Sequence, residues 1–154
     1  MDNTLKKLSF FLVAEFVTFL LLISCIVIIG YSDLFPYGTY TGKTNANASF
    51  VLNTVAVCIS FVAVWLSIKL FTLYTEKNIK KLNFDSALHT YHIWSNIRLF
   101  ILFITIAFDL IVYFLTLEDT CLFFAVVILL ISFIYCVPSK SKLIDYWEKM
   151  KDDI

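Results

Sequence analysis

The sequence predicts an all-α integral membrane protein, an antiparallel four-helix transmembrane bundle with a helical hairpin that extends on the cytoplasmic side. Three observations predict it: four long apolar runs, eleven of the 12 basic residues on one side of those runs, and neither Gly nor Pro between Lys43 and Val137. Each run approaches the ~20 apolar residues that cross a bilayer as a helix. The four runs are about Leu8–Gly30, Phe50–Tyr74, Leu99–Leu117 and Thr120–Val137.

The composition excludes a soluble domain. Hydrophobic residues make up 60% of the 154 residues and charged residues 16%, and the mean hydropathy is +0.86. These values lie far outside those of soluble proteins. Residues 1–154 therefore form a single four-span membrane domain with no room for a separate catalytic domain. The net charge of zero gives no reason to expect a nucleic-acid partner.

The basic residues predict the orientation. Lys6 and Lys7 precede the first run, and the third connection, Leu117–Thr120, has no basic residue. Lys and Arg accumulate in cytoplasmic segments, so both termini should be cytoplasmic, with the plasma (inner) membrane as the expected location. The other basic residues on the cytoplasmic side are Lys69, Lys77, Lys80, Lys81, Arg98, Lys140, Lys142, Lys149 and Lys151.

The second connection predicts a helical hairpin. No Gly or Pro breaks the chain there, and Asp85 and Ser86 are residues that cap a new helix. The second helix should run to about Leu82 and the third should begin near Ser86. Each helix is then about 32 residues, or ~48 Å long at 1.5 Å per residue. This exceeds the ~30 Å hydrocarbon core, so the hairpin should project into the cytoplasm.

After Pro138 the chain predicts a short amphipathic helix over about residues 139–152. Apolar residues recur there at helical spacing, with lysines between them. Such a helix lies at the cytoplasmic interface, although a partner-binding helix has the same pattern.

Each span carries one stripe of small and polar residues. Small residues let helix backbones approach, and polar residues find partners inside a bundle rather than in lipid. The four stripes should therefore meet in the bundle core, and similar faces could bind a partner protein or a second copy. The stripes are Glu15, Thr18, Leu22 and Cys25; Asn53, Ala56, Ser60, Ala63 and Ser67; Arg98, Leu102, Thr105, Asp109, Val112 and Thr116; and Cys121, Ala125, Ile128, Ser132 and Tyr135.

Asp109 lies near the middle of the third run. A charged group at mid-bilayer costs at least ~2.5–3.5 kcal/mol on insertion scales. No basic residue lies at its depth, so we expect a neutral acid or a hydrogen bond to Thr105, Tyr113 or Ser60. Proton or cation coupling and a structural hydrogen bond both remain open as its role.

Glu15 lies about two turns into the first run. Its expected partner is Arg98, whose long side chain reaches up from the inner interface of a facing helix. As with Asp109, both a coupling role and a structural role remain open for Glu15.

A weak metal-site pattern lies on the third helix. Asp85, His89 and His92 follow at i, i+4 and i+7, so one helix face presents a carboxylate and both imidazoles of the chain. Three such ligands suit a divalent cation, but no fourth ligand is fixed and Asp85 has an ordinary role as a helix cap. No cofactor is expected, because the chain has no transmembrane histidine pair and no phosphate-binding loop.

The first hypothesis for function is a small non-enzymatic membrane protein that acts by helix association, as an immunity, exclusion, regulatory or accessory subunit of a membrane complex. The unbroken helices favour this hypothesis, since carriers commonly use broken helices at their sites. The alternative is a small oligomeric ion channel or proton-coupled transporter using Asp109 and Glu15, and a membrane enzyme at the His89/His92 face ranks third. A dry core around Asp109 favours association, and a wetted path past it favours transport.

Overall fold

The computed structural model contains four α-helices and no strand in the residues that it describes, 2–32, 36, 38–41, 45–79 and 84–136. The predicted all-α class is confirmed for this part of the chain. The helix predicted over residues 139–152 lies outside the described residues. The helices are α1 (Asp2–Gly30), α2 (Ala46–Ile79), α3 (Phe84–Thr116) and α4 (Asp119–Cys136).

Three of the helices contain segments that are long and apolar enough to cross a membrane. These segments are Ser9–Gly30, Ala46–Leu70 and His89–Thr116, of 22, 25 and 28 residues. The fourth predicted span corresponds to α4, which is apolar but shorter, with 18 residues. The predicted runs therefore each correspond to one helix.

Helices α2 and α3 are longer than their apolar segments, as the hairpin prediction requires. They contain 34 and 33 residues, compared with the ~20 that cross a bilayer. Helix α3 is described from Phe84 onward, one residue before Asp85. Helix α2 is described through Ile79, so its predicted end at Leu82 lies outside the described residues.

Helix α3 forms the centre of the structure, and each of the other three helices packs against it. Half of its membrane-length segment is buried, compared with 22% for α2 and 11% for α1. Its long apolar side chains fill the main core together with residues of α1 and α4. This core contains Phe16, Leu99, Leu102, Ile106, Leu110, Phe114, Ala125 and Ile128.

The α1–α2 connection covers the end of α3. The N–H of Gly38 donates to the Phe114 carbonyl at 2.9 Å, and the N–H of Tyr40 donates to the Leu115 carbonyl at 3.0 Å. These bonds satisfy carbonyls that a helix end leaves unpaired. Leu117 follows with a φ of 55°, the left-handed conformation that commonly terminates a helix. We call this end of the bundle, where α3 passes into α4 through Leu117 and Glu118, the turn end.

Candidate functional site

Three of the four predicted stripes lie inside the bundle. The small and polar residues of α2, α3 and α4 are almost all buried, with Asn53 half-buried and Tyr135 exposed. The small residues among them let α2 and α4 approach the central helix closely. The buried polar members are Ser60, Ser67, Arg98, Thr105, Asp109, Thr116 and Ser132.

The stripe on α1 is the exception: Glu15 contacts α3, whereas the prediction is wrong for the other three residues. Thr18, Leu22 and Cys25 are exposed. Helix α1 packs on α3 through Leu12 and Phe16, which are buried, because large apolar side chains fill the gap between these two helices. The small residues of α1 consequently point away from the core.

Asp109 is completely buried between α2 and α3. The Ser60 hydroxyl lies 2.7 Å from Oδ2 of Asp109, within hydrogen-bond distance, so one of the three expected hydrogen-bond partners is present. Thr105, a second expected partner, instead donates to the Ile101 carbonyl at 2.9 Å. Oδ1 of Asp109 has no hydrogen-bond partner among the described residues.

An apolar layer separates the Asp109–Ser60 pair from the turn end. Ala56 and Val112 each lie about one turn from that pair, and they pack with Cys121 in a cluster whose members are all buried. Cys121 belongs to this layer, and its thiol donates to Oδ1 of Asn53. The layer places buried apolar side chains between the turn end and Asp109.

Glu15 contacts partners other than the predicted Arg98. Its Oε1 accepts a hydrogen bond from Asn96 Nδ2 at 3.0 Å and lies 3.3 Å from His92 Nε2. His92 and Asn96 are one turn apart on the face of α3 that meets α1, whereas Arg98 lies about 200° around the helix from Asn96. Arg98 is buried, and its Nη2 donates to the Tyr135 carbonyl in the last turn of α4.

The weak metal-site pattern is not assembled in the described residues. His89 is exposed, and His92 contacts Glu15. The side chain of Asp85 lies outside the described part. No group of three His, Cys, Asp or Glu side chains suited to a metal ion occurs among the side chains that the structure describes.

A groove of about 780 Å³ opens at the turn end, and sequence reasoning did not identify it. Its wall combines the first turns of α2, the α3–α4 connection and residues Tyr40–Thr41. Asn53 and Thr116 of the predicted stripes lie in this wall, and their polar character was the available signal. The polar lining residues are Thr41, Ser49, Asn53, Thr54, Thr116, Glu118 and Thr120.

Comparison with known proteins returned no protein-family model, no curated protein and no solved structure that matches this chain.

Proposed function

We propose that this chain is a non-enzymatic membrane protein that acts by associating with other transmembrane helices, as an immunity, exclusion, regulatory or accessory subunit of a membrane complex. In this proposal all four helices cross the plasma (inner) membrane in antiparallel order, with both termini and the α2–α3 hairpin in the cytoplasm. The basic residues support this orientation. Large exposed side chains such as Phe50, Phe61, Phe123 and Ile134 support contact with lipid.

The outward face of α1 is the observation that carries the proposal. Ala14, Thr18 and Cys25 are exposed and point within about 40° of one another around the helix. Leu12 and Phe16, which pack on the core, lie on the opposite side. Ala14 and Thr18 form a small-xxx-small step, which lets the backbone of a second helix approach closely.

This face differs from the other small-residue stripes because nothing in the described part of the chain covers it. The residues of the α2, α3 and α4 stripes are almost all buried in the core of the bundle. The Thr18 hydroxyl donates to the Ala14 carbonyl at 2.9 Å, so the face offers packing rather than an unpaired polar group. A second copy of the chain and a partner subunit both suit such a face.

Disulfide cross-linking tests the proposal with two native cysteines. Cys25 lies on the α1 face and Cys58 on α2, and both are exposed. Variants that keep only one of these cysteines are oxidised in native membranes. We expect cross-links through Cys25, to a second copy or to a partner subunit, and none through Cys58.

A packing variant completes this test. Thr18→Leu places a large side chain in the Ala14–Thr18 step and should lower the Cys25 cross-link yield at least fivefold. Val13→Leu is the matched control, because Val13 is exposed on another side of α1. Equal cross-linking of Cys25 and Cys58, or no effect of Thr18→Leu, would contradict association through this face.

The second candidate is a small oligomeric ion channel or proton-coupled transporter. Buried oxygens without a hydrogen-bond partner in the described part of the chain favour it, namely Asp109 Oδ1 and Glu15 Oε2. The complete burial of Asp109 behind Ala56 and Val112 supports the association proposal instead. A proton flux into proteoliposomes that Asp109→Asn abolishes in a folded protein would favour transport.

A further inference from the structure

The groove at the turn end is large enough for a ligand. Its volume of about 780 Å³ falls within the ~300–1,000 Å³ typical of small-molecule sites. One face of α2 from Ala46 to Cys58 lines it, so the groove extends about 18 Å along this helix. Cys58 and Phe50, both exposed, lie on its lining, and the groove is therefore open to the surroundings of the bundle.

The lining changes in polarity along the groove. Most of the hydrogen-bonding side chains of the lining, among them Ser49, Asn53, Glu118 and Thr120, lie nearer the turn end, whereas Val57 and Cys58 line the far part. A polar end followed by an apolar channel matches an amphiphile, with its headgroup near Glu118 and its hydrocarbon chain along Val57.

The hydrogen-bonding groups near the turn end indicate which headgroup the amphiphile should have. Glu118 is the one lining residue, among those described, with a formal charge. The hydroxyls of Thr41 and Thr54 are exposed and donate to backbone carbonyls, so their oxygen atoms offer lone pairs to a ligand. An ammonium group has three donors and no acceptor, and it fits this set of acceptors. Asn53 accepts from Cys121 through Oδ1, which leaves its NH₂ group to donate to a ligand oxygen.

We propose that this groove binds an amphiphile with a primary ammonium headgroup, of the ethanolamine-phospholipid kind, with the ammonium at Glu118 and an ester or phosphate oxygen at Asn53. This site is separate from the outward face of α1 and does not depend on the proposed function. The starts of α2 and α4 also lie at this end, and helix N-termini favour anions. The carboxylate of Glu118 opposes that preference, and an anionic lipid is the competing occupant in the test.

Native mass spectrometry of the full chain in detergent tests the headgroup. The probes are phosphatidylethanolamine, phosphatidylglycerol and dodecylammonium, the last distinguishing a free amphiphilic amine from a lipid. Glu118→Gln removes the charge at constant shape, and Asp119→Asn is the matched control because Asp119 is adjacent, exposed and outside the lining. We expect one bound phosphatidylethanolamine, at least tenfold weaker binding in Glu118→Gln, and unchanged binding in Asp119→Asn.

Thiol protection locates the bound probe. Cys58 lines the groove, whereas Cys25 is exposed on α1 away from it. Phosphatidylethanolamine should slow maleimide labelling of Cys58 at least fivefold and leave Cys25 unchanged. Equal binding by Glu118→Gln and Asp119→Asn, a preference for phosphatidylglycerol, or protection of both cysteines alike would overturn the proposal.

Discussion

The Ser60 hydroxyl lies between two oxygen atoms that both accept hydrogen bonds. Its Oγ is 2.7 Å from Asp109 Oδ2 and 2.9 Å from the Ala56 carbonyl oxygen. Because a hydroxyl has one proton, an ionised Asp109 would compete with the carbonyl for it. A protonated Asp109 removes this competition, since its own O–H donates to Ser60 while Ser60 donates to Ala56. We infer that the neutral acid is the form this geometry accommodates.

Infrared spectroscopy at neutral pH tests this inference about Asp109. The protein should show a carboxylic-acid C=O stretching band that is missing from Asp109→Asn. The asparagine keeps both the shape and a donor toward Ser60, so Asp109→Asn should unfold within about 1 kcal/mol of the original chain. Ser60→Ala leaves the buried acid without its partner and should lower the free energy of unfolding by about 1–3 kcal/mol. Failure of Asp109→Asn to assemble would instead indicate a charged carboxylate.

Gly30 is required by close packing at the end of α1. A Cβ atom at this position would overlap the ring of Phe114, which is 1% exposed and stiff. Gly30→Ala should therefore lower the free energy of unfolding by about 1–3 kcal/mol, the usual cost of overpacking. Cys25→Ala, at an exposed position on the same helix, should change it by less than about 0.5 kcal/mol. Thermal unfolding in detergent measures both, and equal stability of the two variants would contradict this packing.

At the scale of the helices, the sequence predicts where helices form and how long they are better than it predicts which face of each helix points to the core. The apolar runs and the lack of Gly and Pro predict all four helices, and α3 is described from Phe84, near its predicted start at Ser86. The rotation of α1 is not predictable in the same way, because both of its faces are apolar. In lipid there is no hydrophobic preference between two apolar faces. The fit of side chains against α3 therefore determines which face of α1 packs on the bundle. Phe16 fills that space, and Thr18 does not.

The candidate site shows the same limit. Asp109 and Ser60 were predictable as partners because each lies in a stripe that must meet the other. The contact of Glu15 with Asn96 depends on the rotation of α1 against α3, which spacing alone does not define. The groove at the turn end combines three separate segments, so no single stretch of sequence contains its pattern. In the sequence, Glu118 is indistinguishable from an ordinary turn residue, and only the position of α2 shows that it lines a groove.

For the molecule as a whole, Arg98 and the carboxylates of Glu118 and Asp119 lie at opposite ends of the apolar run Leu99–Leu117. Arg98 lies beside Leu70 of α2 and donates to the last turn of α4, whereas Glu118 and Asp119 lie at the turn end. Arg98 and Glu118 are therefore separated along the axis of α3. A positively charged end is retained in the cytoplasm during insertion, so we expect the turn end to face outward.

Site-directed cysteine labelling tests that orientation. In a chain without native cysteines, Asp119→Cys reports the turn end and Ser86→Cys reports the start of α3, and both positions are exposed. A membrane-impermeant maleimide should label Asp119→Cys in intact cells, because α3 carries the chain across the bilayer between these positions. Ser86→Cys and Met150→Cys should react only after permeabilisation. Labelling of Ser86→Cys alone would reverse the orientation, and equal labelling of Ser86→Cys and Asp119→Cys would mean that α3 does not cross the membrane.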